Sequence, residues 1–156
     1  MENTGCGLCN RKCRVDRDNG EKGFCGETSE IRCGRAALHM WEEPCISGTR
    51  GSGTVFFTGC VLKCVFCQNS VLAESKVGEP VTVSRLAEIF LELQNKGAHK
   101  INLVTPTHFV PSIRESIILS KKNGLAVPIV YNSGSYESED TIKSLEGLVD
   151  IYLPDL

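Results

Sequence analysis

The chain has 156 residues, the length of one ordinary domain, and its 41% hydrophobic and 23% charged residues are those of a soluble globular protein. Lys and Arg total 17 and Asp and Glu 19, so a net charge of −2 gives no electrostatic case for a nucleic-acid or membrane partner. No apolar run approaches the roughly 20 residues that a membrane-spanning helix needs, the start lacks the basic and apolar stretches of a signal peptide, and a cytoplasmic location is the expectation.

Nine cysteines are the unusual feature, and six of them fall within residues 1–50. An odd number, no export signal and gaps of two or three residues argue against a disulfide framework and for thiolates sharing a metal. Segment 1–50 otherwise shows little helical or strand periodicity. Cys6-x2-Cys9-x3-Cys13, followed by Cys25, supplies four ligands, and Arg11, Lys12, Arg14 and Arg17 around them favour thiolates. Four ligands make a closed site, suited either to structural zinc or to an auxiliary iron–sulfur cluster. Cys33 and Cys45 stand alone and read as buried structural thiols, although either is an alternative fourth ligand. His39, beside Met40 and Trp41, reads as a packing residue.

Residues 47–54, Ser-Gly-Thr-Arg-Gly-Ser-Gly-Thr, are punctuation and lead from segment 1–50 into a second region, 51–156. A short strand at 55–57 runs directly into Cys60-x3-Cys64-x2-Cys67. Residues 84–96 have helix periodicity, with Leu86, Ile89, Phe90 and Leu93 on one face, Ser84 as N-cap and Gly97 beyond the end. A strand at 101–104 follows, then a helix at 111–122 with Pro111 in its first turn and Gly124 after it. A third strand is expected at 127–131, with Pro128 at its start. Ser138-Glu139-Asp140 opens another helix, its acidic residues near the positive end of the dipole, and Gly147 stops it. A fourth strand is expected at 149–153.

Strands alternating with helices mean βαβ units and a parallel sheet, with ligands at the carboxyl ends of the strands. The polar residues collect at that edge: the cysteine triad after the first strand, Thr105, Thr107 and His108 after the second, Asn132, Ser133 and Ser135 after the third, and Asp155 after the fourth. No covering helix follows the fourth strand, so a truncated gene product or fragment is the expectation.

Cys60, Cys64 and Cys67 lie within eight residues and can wrap one cluster from a single loop. Three thiolates leave one iron of a cubane [4Fe-4S] cluster without a protein ligand, and an open iron is what substrate chemistry requires. At these residues the sequence resembles the radical S-adenosylmethionine superfamily, whose motif is C-x3-C-x-Φ-C with Φ aromatic; Phe66 fills that position. The string from Gly51 to Cys60, with Gln68-Asn69 after the triad, is similar to a subgroup related to pyruvate formate-lyase activating enzymes. The resemblance implies a partial (βα) barrel of the radical SAM type, truncated after about its fourth strand and preceded by the Cys-rich segment. It implies a [4Fe-4S] cluster and S-adenosyl-L-methionine as cofactors, with reductive cleavage to a 5′-deoxyadenosyl radical that abstracts hydrogen. It places Phe66 near the adenine, and Asn132, Ser133 and Ser135 where ribose and carboxylate contacts are usual.

The family often carries a Gly-Gly-Glu-like stretch where this chain has Thr105-Pro106-Thr107-His108; Thr105, Thr107 and His108 are the cofactor-contact candidates there. Asp155-Leu156 looks like the start of an activating-enzyme Asp-Leu-Lys motif. The partners implied are an electron donor such as flavodoxin or ferredoxin and a glycyl-radical enzyme. A different class of function stands beside this one: a non-catalytic iron–sulfur or zinc module for binding or electron transfer.

Overall fold

The computed structural model describes residues 5–155; residues 1–4, and Leu156 of the Asp155-Leu156 pair, lie outside the described residues. The elements are β1 (Arg32–His39), α1 (Pro44–Ser47), β2 (Ser52–Phe57), α2 (Ser70–Ala73), β3 (Glu79–Pro80), α3 (Val83–Asn95), β4 (Ile101–Val104), α4 (Val110–Lys122), β5 (Ile129–Ser133), α5 (Glu139–Lys143) and β6 (Ile151–Pro154).

They build a mixed α/β structure on one six-stranded sheet, in the order β3-β1-β2-β4-β5-β6. β2, β4, β5 and β6 run parallel, joined by crossovers that contain α3, α4 and α5. β1 and β3 add an antiparallel edge, with β1 on β2 and β3 on β1. Residues before position 50 therefore contribute a strand to the sheet. The register of β1 shifts between Cys33 and Arg35, and this irregularity hides the strand from a period-two reading of Arg32–His39.

Local chemistry sets the helix ends. The Thr82 hydroxyl, not Ser84, caps α3 by accepting from the Arg85 N–H at 3.1 Å. Pro111 sits in the first turn of α4, where its missing N–H costs nothing, and Lys121 and Lys122 lie in the last turn. Ser138 caps α5 by accepting from the Thr141 N–H at 3.3 Å, with Glu139 and Asp140 in the first turn. β5 starts one residue after Pro128, whose carbonyl accepts from the Ile101 N–H at 2.9 Å.

The main core lies between the sheet and the pair α3/α4. Val55, Phe57, Ile101, Leu103 and Ile129 from the strands meet Leu86, Phe90, Leu93, Ile113 and Ile117 from the helices, all nearly or fully buried. The alternate strand residues face the other way, in rows fixed by register: Thr54, Asn102 and Val130, then Phe56, Val104 and Asn132. The second row is the wall on which the site is built.

All nine cysteines are unpaired thiols. Cys33 packs against the main core, whereas Cys45, expected to be buried, is exposed on the one-turn α1. His39 packs edge-on against Phe56 at 5.8 Å, while Trp41 projects into solvent. Among the described residues no helix is long and apolar enough to cross a membrane.

Candidate iron–sulfur site

β2 feeds the chain into the cysteine triad through two contacts of Thr58. The Thr58 hydroxyl donates to Glu27 Oε1 at 2.6 Å, with both side chains out of solvent, and the Thr58 N–H donates to the Arg32 carbonyl at 3.1 Å. Gly59 then turns with φ +77°; a Cβ there would lie 2.6 Å from Glu27 Cγ and 2.8 Å from the Cys25 carbonyl oxygen. Only glycine permits both the dihedral and the approach, and the turn aims Cys60 away from the strand. The Cys60 N–H donates to the Cys25 carbonyl at 3.2 Å, so the N-terminal cysteine loops brace the triad loop.

Within the triad, the Leu62 N–H donates to Cys60 Sγ at 3.4 Å. The Cys67 N–H donates to the Cys64 carbonyl at 3.1 Å and folds the loop back. Cys60 and Cys67 are half-buried and Cys64 is exposed, beside the fully exposed Val65 and the 86% exposed Phe66.

All three cysteines line one cavity of about 530 Å³, together with Phe66 and with Thr105, Thr107, Asn132, Ser133 and Asp155. Nine residues expected from sequence thus meet around one volume at the carboxyl ends of β2, β4, β5 and β6. Phe56 and Val104 complete the sheet wall with Asn132, and Gln68 and Asn69 follow the triad into the same lining. A cubane cluster fits this donor set: three free thiols from one loop, on the wall of a cavity with room for a further ligand. Among the described residues no three His, Cys, Asp or Glu side chains are gathered tightly enough to share a single metal ion.

Thr105 carries backbone strain at this wall. Its φ is +57°, rare for a β-branched residue, and its N–H donates to the Asn132 carbonyl at 3.0 Å across the strand ends. Thr107 is buried and donates to Glu137 Oε1 at 2.6 Å; the Tyr131 hydroxyl reaches the same oxygen at 3.4 Å. Burial and the neighbouring Glu137 carboxylate push the Tyr131 hydroxyl pKa well above its usual value, so it stays a neutral donor. Glu137 was not legible as part of the site; its position in a loop after β5 carries no local signal.

Two of the expected contacts lie elsewhere. Ser135 is exposed and outside the cavity lining; its N–H donates to Ser133 Oγ at 3.3 Å, a turn function. His108 is buried behind the wall, with Nε2 2.6 Å from the Thr58 carbonyl oxygen, and borders a separate cavity of about 290 Å³ with Cys6 and Arg17. Burial lowers its pKa to about 4, so it is neutral at physiological pH and Nε2–H is the donor.

The four N-terminal cysteines lie behind the triad loop, Cys9 and Cys25 buried and Cys6 and Cys13 half-buried. Cys9 and Cys25 form a small core with Val61, the residue after Cys60. Arg17, read from the sequence only as a basic neighbour of the cysteines, and Glu27, not legible as a site residue, wire this region to β2 and to the loop after β4.

An uncharacterised protein of Methanocaldococcus jannaschii is 31% identical over 159 aligned residues, which cover 96% of this chain and 44% of that protein. The chain therefore spans under half the length of the curated relative it matches. No solved structure matches it. The model of the 4Fe-4S single cluster domain family matches residues 47–143, a stretch that begins before β2, contains all three triad cysteines and runs to the end of α5. By that match over more than half its length, the chain belongs to the family of 4Fe-4S single cluster domains.

Proposed function

We propose that this chain carries the cluster and cofactor site of a radical S-adenosylmethionine enzyme. The observation that supports the reading is the shared cavity: the triad, an aromatic side chain between its last two cysteines, and polar groups from three successive strand ends line one volume. A cluster held only for structure or electron transfer has no need of that second, polar half.

In this reading Cys60, Cys64 and Cys67 hold the cluster and leave one iron for a ligand that is not protein. Phe66 offers its face to the adenine. Thr105, Asn132 and Ser133 present hydroxyl, amide and backbone groups to the ribose and the methionyl group, and Asp155 sets a carboxylate near the amine or ribose hydroxyls. Thr107 and Glu137 position this wall, and the apolar Phe56, Leu62 and Leu72 keep water from it. The chemistry supplied by the group when bound is one-electron reduction of the sulfonium, which breaks the S–C5′ bond to give methionine and a 5′-deoxyadenosyl radical. The sheet then corresponds to the first strands of a partial (βα) barrel. The activating-enzyme resemblance names the partner classes: a flavodoxin or ferredoxin as electron donor and a glycyl-radical enzyme as hydrogen donor.

The test is anaerobic reconstitution of the full-length protein with iron and sulfide, followed by S-adenosylmethionine and a low-potential reductant. The expected products are 5′-deoxyadenosine and methionine, absent from a Cys64→Ser variant. A reconstituted protein that holds its cluster and yields no 5′-deoxyadenosine sinks the enzyme reading and leaves the electron-transfer module.

A further inference from the structure

Four cysteines outside the matched family region meet behind the triad loop. Cys6, Cys9 and Cys13 sit on a loop closed at its base by two backbone bonds, Cys6 N–H to the Val15 carbonyl at 3.0 Å and Arg14 N–H to the Cys6 carbonyl at 3.1 Å. Inside it, the Lys12 N–H donates to the Cys9 carbonyl at 3.1 Å. Lys12 and Arg14 take left-handed conformations, φ 44° and 56°, that non-glycine residues adopt when the surroundings impose them. A second turn, closed by the Gly26 N–H on the Gly23 carbonyl at 2.9 Å, brings Cys25 to the first. A Cβ placed on Gly23 would be 3.2 Å from Cys13 Sγ and 3.5 Å from Cys25 Sγ, so these two sulfurs, 12 residues apart in sequence, flank one point.

Thiols used for packing alone need no such convergence, and two of these four are not fully buried. We propose that Cys6, Cys9, Cys13 and Cys25 ligate a second, closed metal centre, separate from the triad: either an iron–sulfur cluster, whose irons each take one thiolate, or a zinc ion, around which the four thiols, not gathered tightly enough for a single ion in this structure, must draw closer. As metal–sulfur bonds form, the thiol protons pass to solvent and the loops draw in around the metal. Donors already face the sulfurs: the backbone N–H groups of Arg11 and Lys12 hydrogen-bond Cys9, and the buried Arg17 guanidinium lies 4.0 Å from Cys6 Sγ.

The centre has a structural consequence at the triad. The Cys25 carbonyl accepts from the Cys60 N–H, and Arg11 Nε donates to the Val61 carbonyl at 3.0 Å. The ligand loops of the two sites are thus in direct hydrogen-bond contact.

Two variants separate the sites: Cys60→Ser/Cys64→Ser/Cys67→Ser removes the triad, and Cys9→Ser/Cys13→Ser removes the second centre. Each is purified without oxygen from cells supplied with zinc and iron, and zinc, iron and sulfide are counted per folded chain. The triad variant is expected to keep about one zinc, or about four irons with sulfide, and the second variant to lose that amount and keep the triad's iron. Which metal remains distinguishes a zinc clamp from an auxiliary cluster. The native chain gives a measurement that needs no variant: alkylation of the half-buried Cys6 and Cys13, slow as purified, is expected to accelerate at least about tenfold once metal is stripped by chelator and oxidant. A folded triad variant without metal, or alkylation of Cys6 and Cys13 that stripping leaves unchanged, overturns the proposal. Neither result touches the triad, whose iron is counted separately in the second variant.

Discussion

His108 shows how burial converts a sequence-level candidate into a different kind of residue. Its type and position after β4 read as a polar ligand contact, yet its ring packs tilted against Phe109, with centroids 4.3 Å apart, and its Nε2–H is committed to the Thr58 carbonyl at 2.6 Å. Nδ1 is buried without a partner, so protonating the ring would place a charge in an apolar site. The folded pKa of about 4 lies below the unfolded value of 6.5, and the unfolded chain therefore binds more protons between those limits. The stability that depends on neutral His108 is complete above pH 6.5 and is lost as pH falls toward 4. Between pH 7 and pH 5 the loss is about 2 kcal/mol. Urea titrations of the metal-free protein at the two pH values should show it, and His108→Gln, which keeps an N–H for the carbonyl, should lose most of this pH dependence. An equal drop in both proteins would show that other groups dominate. The triad, by contrast, was legible because its information is local: three thiols and an aromatic in eight residues. Burial of a histidine depends on residues such as Arg17 and Thr58 that are far from it in sequence.

α3 illustrates the next level. Its apolar face was readable from spacing, since Leu86, Phe90 and Leu93 recur at helical intervals and all become buried. What spacing could not give is how close α3 comes to the sheet. A Cβ on Gly53 of β2 would lie 2.8 Å from Leu93 Cβ and 3.1 Å from Ala98 Cβ, both carried directly on backbone. Gly53→Ala should therefore push α3 and the following turn away from β2, at a cost of about 1–3 kcal/mol in the urea midpoint analysis. A change smaller than a few tenths would mean that the contact relaxes freely. The parallel strands and their helices were likewise readable, to within a few residues, from short apolar runs between capping residues and glycines. β1 and β3 were not. β1 is interrupted by a register shift and β3 has only two residues; β1 is a strand because β2 offers an unpaired edge, and β3 because β1 then offers the next one, which are tertiary facts.

The N-terminal loops and the sheet are held together by a small set of links, and these set how the two cysteine regions depend on each other. Asn10 Nδ2 donates to the Glu137 carbonyl at 3.0 Å, and the Thr141 hydroxyl donates to the Leu8 carbonyl at 2.8 Å, fastening the first loop to the segment after β5. Arg17 is the central link. It is 6% exposed, and its guanidinium donates to the carbonyls of Glu27, Thr28 and His108, joining both N-terminal turns to the loop after β4. Five donors in a planar fork allow one side chain to satisfy three carbonyls from different segments, a task lysine cannot repeat. Arg17→Met keeps the apolar stem but strands the Thr28 and His108 carbonyls, whereas the Glu27 carbonyl keeps the Gly23 N–H at 3.3 Å. Each buried acceptor without a donor costs about 1–3 kcal/mol, and partial relaxation brings the expected total to about 3 kcal/mol rather than the full sum. The loss should not be uniform. Hydrogen exchange should show the Cys6, Arg14 and Gly26 amides exchanging faster, together with the Cys60 amide bonded to the Cys25 carbonyl, while Leu103 and Val130 in the sheet keep near-native protection. If Arg17→Met instead accelerates exchange equally in β4, β5 and the N-terminal loops, the loops and the sheet unfold as one cooperative unit, and Arg17 does not join two separable parts.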